Sequence, residues 1–132
     1  MRNMSFALTE QQIRDRTKTV TRRLGWEKLK PGDLVRPVRK CMGLKPGQKI
    51  EPIGDPIRIV SVRRERLELM TEDSQYGIEE CRREGFGNHP DYRWPSAFVQ
   101  FFCGSHRPCE PGWLITRIEF EYPSEPQEAK HE

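Results

Sequence analysis

Lys18 and Thr21 stand three residues apart in the stretch RTKTVTRR, residues 16–23. A threonine hydroxyl is a weak nucleophile until a neighbouring base takes its proton, and a lysine that has lost its own proton can be that base. Lysine is ordinarily charged near neutrality, so such a pair works only where burial disfavours the ammonium. In a regular strand residues three apart point to opposite faces. The two side chains therefore meet only if the backbone turns near them. The competing reading is a solvated basic strand whose threonines serve β propensity. Arg22 and Arg23 follow at once; Arg22 is a candidate contact for a phosphate, whereas Arg23 reads as an ordinary surface arginine.

Other residue types could add recognition. Trp26, Tyr92 and Trp94 are aromatic side chains on which an unpaired base could stack, with core packing as the alternative for each tryptophan. The segment CGSHRPC spaces Cys103, His106 and Cys109 at three-residue intervals. Zinc sites show tighter paired spacing than this, so no metal or other cofactor is expected. His89 and His106 read as loop histidines.

Around these residues the chain alternates short elements with turns. LTEQQIRDR (8–16) predicts a short helix capped by Thr9, with Gln12 at the capping-box position and with Leu8 and Ile13 facing the core. The β-branched residues of RTKTVTRRL then predict an extended or turning segment. KLKPGDLVRPVRKC (28–41) opens on a Pro-Gly-Asp turn and enters a strand in which Pro37 marks an edge or a bulge. Residues 42–56 read as a Gly/Pro-rich surface connection. IRIVSVRRERLELM (57–70) alternates and predicts a central strand. SQYGIEECRRE (74–84) predicts a helix with Ile78 and Cys81 inward. Pro95 suits the first turn of another helix, along which Phe98, Phe101 and Phe102 form an apolar stripe. WLITRIEFEY (113–122) predicts a closing strand with Leu114, Thr116, Ile118, Phe120 and Tyr122 on one face. Arg117, Glu119 and Glu121 take the other. The order predicts an α+β fold, a small mixed β-barrel with helices covering one opening. It occupies residues 1–122, with a polar disordered tail over 123–132.

The charge is unevenly spread. The net +3 arises from residues 1–66 at +10, with 17 basic and 7 acidic side chains, and residues 67–132 at −7, with 6 and 13. A basic first half favours an anionic partner, RNA or a nucleotide. No apolar run is long enough to span a bilayer, and MRNMSFALTE lacks the apolar segment of a secretory signal. A cytoplasmic protein with no membrane partner is expected, its four irregularly spaced cysteines reduced.

The succession of LTEQQI, KTVTRR, LKPGDLVRPV, IRIVSVRRERL, EEC-RREGF and LITRIEFEY resembles the ASCH domain, a small barrel related to the RNA-binding PUA fold. The resemblance spans nearly all of the ordered chain. Some ASCH proteins are amidohydrolases that remove the acyl group from N(4)-acetylcytidine, and others are described as RNA-binding or RNA-cleaving. For this chain the resemblance implies Lys18, Thr21 and, from its place in RREGF, Glu84 as the catalytic set, with Arg22 as the arginine after the motif. Thr21 would be the nucleophile, Lys18 its base and Glu84 a proton carrier or water activator. In the other assignment Glu84 is the base and Lys18 holds the developing oxyanion, since a carboxylate beside a lysine makes the two titrate as a pair. The family usually has glycine two positions before the lysine. Arg16 stands there instead and is expected to alter the turn. Binding of RNA or a nucleotide needs only the fold and the charge, whereas amide hydrolysis also needs Lys18, Thr21 and Glu84 in one pocket.

Overall fold

The computed structural model describes residues 1–124; of the tail expected from residue 123, residues 125–132 lie outside the described part. The alternating segments become strands β1 (Arg2–Ser5), β2 (Val20–Arg23), β3 (Leu34–Val38), β4 (Ile57–Arg66) and β5 (Leu114–Glu121). Helices α1 (Glu10–Arg14), α2 (Leu69–Glu72), α3 (Ser74–Cys81) and α4 (Pro95–Ser105) join them, with a 3-10 turn at Ala7–Thr9 and a π turn at Arg82–Phe86. The fold is α+β, as the element order predicts. The strands form one mixed sheet in the order β1-β3-β4-β5-β2, with β1 parallel to β3 and the other neighbours antiparallel.

The sheet does not close into a barrel, which corrects the sequence reading. Strands β1 and β2 are its two edges and share no ladder. They come together only through side chains, with Arg23 Nη2 donating to the Ser5 carbonyl at 2.6 Å. Strand β4 is central, but its alternation breaks at a register shift between Ile59 and Ser61. Val62 consequently packs partly against the core while Val60 is exposed. Pro37 is not on an edge strand. It pairs with Met4 of β1, and on the other side, where β4 has left β3 after Leu34 and Val35, residues 51–53 take over, with the Ile53 N–H donating to the Pro37 carbonyl at 2.8 Å and no N–H on Pro37 to answer it.

Two apolar clusters flank the sheet. One gathers Met4, Phe6, Ile13, Val35, Ile59 and Phe120; the other gathers Leu67, Met70, Phe86, Phe98, Phe102 and Ile115 beneath the helices. Several expected orientations fail. Leu8 is exposed, and Thr9 makes no capping hydrogen bond. Ile78 faces solvent while Gly77, Glu80 and Cys81 form the buried side of α3. Arg117, expected outside, is buried, because α3 covers that face of β5 with Glu80.

Between helix and sheet lies a cluster of buried charges. Arg22 Nη2 donates to Glu80 Oε1 at 2.6 Å and to Glu65 Oε2 at 3.0 Å, and Arg22 Nη1 donates to Glu84 Oε2 at 3.3 Å. Arg117 grips Glu80 with both arms, Nε to Oε1 at 2.5 Å and Nη2 to Oε2 at 3.1 Å. Burial alone would raise the Glu80 pKa, but Arg117 and Arg22 outweigh it and hold the carboxyl at about 2. For Arg22 burial opposes the charge, and Glu84 and Glu80 reverse that effect and raise its pKa.

Glu80 thus binds a proton less readily in the folded than in the unfolded chain. Its stabilisation is complete above the ordinary carboxylate range and disappears as the pH falls from about 4.5 toward 2. Denaturant midpoints measured across that range should drop with pH. Glu80→Gln should flatten this dependence and lower stability at neutral pH by on the order of 3 kcal/mol, since it strips a carboxylate from two buried arginines. A variant with the wild-type pH profile would show that another group carries the effect.

Candidate functional site

Lys18 precedes β2 and is held at both ends. Its backbone N–H donates to Gln12 O at 3.2 Å, and its carbonyl accepts from the Tyr122 hydroxyl at 2.5 Å. Two residues earlier the chain turns through Arg16, which adopts a left-handed φ of 65°. The conformation that glycine would favour is therefore kept with arginine in place. The Arg16 guanidinium donates to the Ser124 carbonyl at 2.6 Å and lies over the Tyr122 ring, contacts that offset the strain of the turn.

Glu84 arrives from the other side on the π turn that follows α3. Gly85 completes the turn at φ 98°, and a Cβ there would come within 3.0 Å of Gln12 and 3.3 Å of Lys18. Only glycine allows the backbone after Glu84 to lie this close to Lys18. The Thr19 N–H donates to Arg83 O at 2.8 Å and ties the two segments together.

These supports bring Lys18, Thr21 and Glu84 to the wall of one cavity of about 180 Å³, at the seam between the β1 and β2 edges. Each is only 3% exposed. Lys18 Nζ donates to Glu84 Oε1 at 3.0 Å and to the Glu84 carbonyl at 2.7 Å. Thr21 Oγ1 accepts from Arg23 Nε at 3.2 Å. No hydrogen bond joins Thr21 directly to Lys18. Phe6, Phe86, Phe98 and Phe102 supply apolar wall, so the polar groups act in a site of low dielectric.

Burial pushes the Lys18 pKa down; the Glu84 charge opposes it, while Arg23 and Arg22 add to the lowering. Burial likewise lowers Arg23 to about 10, against the pull of Glu84. Arg22 and Arg117 are paired with the buried carboxylates Glu65, Glu80 and Glu84, whereas Arg23 donates to Thr21 and to the Ser5 carbonyl. A neutral amine has two N–H donors and one lone pair. Its two donors match the two Glu84 oxygens, and its lone pair stays free for a proton.

The other sequence candidates are dispersed. Arg22 lines the cavity, but its side chain is fully shielded and engaged by carboxylates, so a surface phosphate does not reach it. Arg23, read as a surface arginine, is a partly buried cavity residue instead. Trp26 packs on the first apolar cluster beneath the Arg2 guanidinium, 4.0 Å from its ring. Tyr92 stacks between His89 and Phe101, and Trp94 is half-exposed beside Arg93. None of these three aromatics lines the cavity. His106 does; it stacks on Phe102, and its Nδ1 lies 2.8 Å from Phe102 O. Cys103 and Cys109 are neighbours at 3.7 Å. Among the described residues no group of three or more His, Cys, Asp or Glu side chains is arranged to hold a metal. No helix among them is long and apolar enough to cross a membrane.

Sequence reasoning missed Glu65, Tyr76, Glu80 and Arg117, which surround Arg22. For Glu65, Glu80 and Arg117 the one visible signal is a charged residue at an inward position of an alternating or helical pattern. Comparison with protein-family models, with curated proteins and with solved structures finds no match to this chain.

The opposing effects on Lys18 are separable by titration. Glu84→Gln removes the charge that favours the ammonium, so the Lys18 midpoint, already below the ordinary lysine value, should move further down. The readout is NMR of the Lys18 Cε resonance against pH. A midpoint that stays fixed or rises would mean that Glu84 does not face Lys18 as a carboxylate.

Proposed function

We propose that the cavity binds a pyrimidine nucleoside with an acylated amine and hydrolyses that amide. One observation carries the reading: the buried residues Lys18, Thr21 and Glu84 line a single cavity, with Lys18 pushed toward its neutral form. The resemblance of KTVTRR and RREGF to the ASCH amidohydrolases points to the same three residues. A space of about 180 Å³ is smaller than the ~300–1,000 Å³ of drug-sized sites. It suits a base edge with its acyl group, with the sugar outside.

In this mechanism Thr21 Oγ1 attacks the amide carbonyl carbon and passes its proton to the Lys18 lone pair. Arg23 Nε, already donating to Thr21 Oγ1, stabilises the developing alkoxide. The carbon–nitrogen bond then breaks, and the proton on Lys18 moves to the leaving amine. Water, giving a proton to Lys18 or Glu84, attacks the acyl ester on Thr21, and that proton returns to the departing Thr21 Oγ1 as the carboxylic acid is released. Glu84 orients Lys18 throughout through its two hydrogen bonds.

A second reading, binding of RNA or a nucleotide without chemistry, is favoured by the missing hydrogen bond between Thr21 and Lys18. Both are tested by following release of cytidine from a panel of N-acyl cytidines by chromatography. Turnover should fall by roughly 10²–10⁴-fold in Lys18→Ala and Thr21→Ala, and Thr21→Ser should retain much of it. Turnover intact in Thr21→Ala would remove the nucleophile. Binding without turnover of any acyl cytidine would replace hydrolysis with the second reading.

A further inference from the structure

The cavity does not stand alone on its side of the molecule. A second, wider groove of about 520 Å³ adjoins it, and Ala7 lines both. Its far wall is the connection over residues 39–51, which carries Arg39, Lys40, Lys45 and Lys49 before its first acid, Glu51. The base of this connection is pinned to the cavity rim. Ser5, a cavity residue, donates from Oγ to Arg39 O at 3.0 Å, and the Arg39 N–H donates to Glu51 O at 3.0 Å.

The charges in the groove are not equivalent. Arg39 is matched by Glu10 at 2.9 Å and Glu51 at 3.0 Å. Lys40 and Lys49 line the groove, are exposed and make no ion pair among the described residues; Lys45, beside them on the same connection, is likewise exposed and unpaired. The inner cavity is different, because Arg22 there already faces carboxylates and Arg23 is engaged by Thr21 Oγ1 and the Ser5 carbonyl. Cationic capacity for an incoming anion therefore lies outside the cavity, next to its mouth. This is where a group attached to the sugar of a nucleoside would emerge if its base were inside.

We infer that the groove beside residues 39–51 is a phosphate subsite, and that the ligand is a phosphorylated nucleoside, not a free one. The inference rests on the nucleoside reading of the cavity and adds the class of ligand. Lys40 and Lys49 are the primary contacts, acting as mobile point charges. The chemistry is common to a mononucleotide and to a residue within single-stranded RNA.

The test is titration calorimetry of the full chain with cytidine, cytidine 5′-monophosphate and a cytidine-containing RNA tetranucleotide, at low and moderate salt. Both phosphorylated ligands should bind more tightly than cytidine. A slope of about −0.7 in log affinity per log salt for each single-strand phosphate contact predicts, for two contacts, about a sevenfold loss for the tetranucleotide between about 50 and 200 mM salt. The double variant Lys40→Ala/Lys49→Ala should lose the phosphate-dependent gain and keep wild-type affinity for cytidine, which also reports that it is folded. Equal gains for the two phosphorylated ligands assign a mononucleotide, and a larger gain for the tetranucleotide assigns a strand. Cytidine binding with no gain from phosphate, or a variant that weakens all three ligands equally, overturns the subsite alone. Failure of all three to bind overturns the subsite together with the nucleoside reading.

Discussion

Arg22 sits with its side chain wholly shielded from water and three carboxylates around it. A charge in that position is tolerable only if its partners are fixed, because withdrawing an ion from water costs several kcal/mol before any pairing is counted. The partners come from three elements: Glu65 from β4, Glu80 from α3 and Glu84 from the π turn. Arg22 thereby specifies how the helical layer seats on the sheet, in a way that apolar contact would leave looser. Arg117 adds a second clamp on Glu80 from β5. The arrangement is not fully satisfied, since Arg22 Nε is buried without a partner. What the cluster supplies is a definite geometry for Glu84, and with it the environment of Lys18.

The regular elements were legible in the sequence because their signals are local. Alternation marked β4 and β5, Pro95 marked the start of α4, and the polar turn before Leu34 marked β3. The orientation of α3 was not legible. Its residues place Ile78 inward by hydrophobicity, yet the buried face carries Glu80. The residues that make this acceptable, Arg22 and Arg117, lie 58 and 37 positions away, so no local pattern contains the reason. The same holds for the sheet. Whether β1 and β2 close a barrel depends on the side chains filling the space between two distant edges, and strand periodicity is blind to that.

The candidate site was legible in part for a similar reason. The spacing of Lys18 and Thr21 raised the question of a turn, and the turn that the chain makes lies at Arg16, ahead of both. The basis for it lies in the backbone: the left-handed Arg16, the carbonyl held by Tyr122, and the close passage of Gly85. Arg22 was read as a candidate contact for a phosphate, but its partners are carboxylates within the fold, and solvent is excluded from it. Arg23 was passed over because a second consecutive arginine looks generic. Its inward direction follows from strand alternation only once the strand is known to start at Val20.

The seam between the β1 and β2 edges is bridged by side chains and by no ladder hydrogen bond. Its width is consequently decoupled from the pairing that holds the sheet. Replacing Thr9 or Phe101, which also line the cavity, reshapes it while every strand keeps its neighbours, whereas the same change inside a closed barrel would strain the whole ring. The architecture thus separates what can drift from what cannot. The lining of the cavity can change one residue at a time along the seam, while the buried charges behind it hold Lys18 and Glu84 in place.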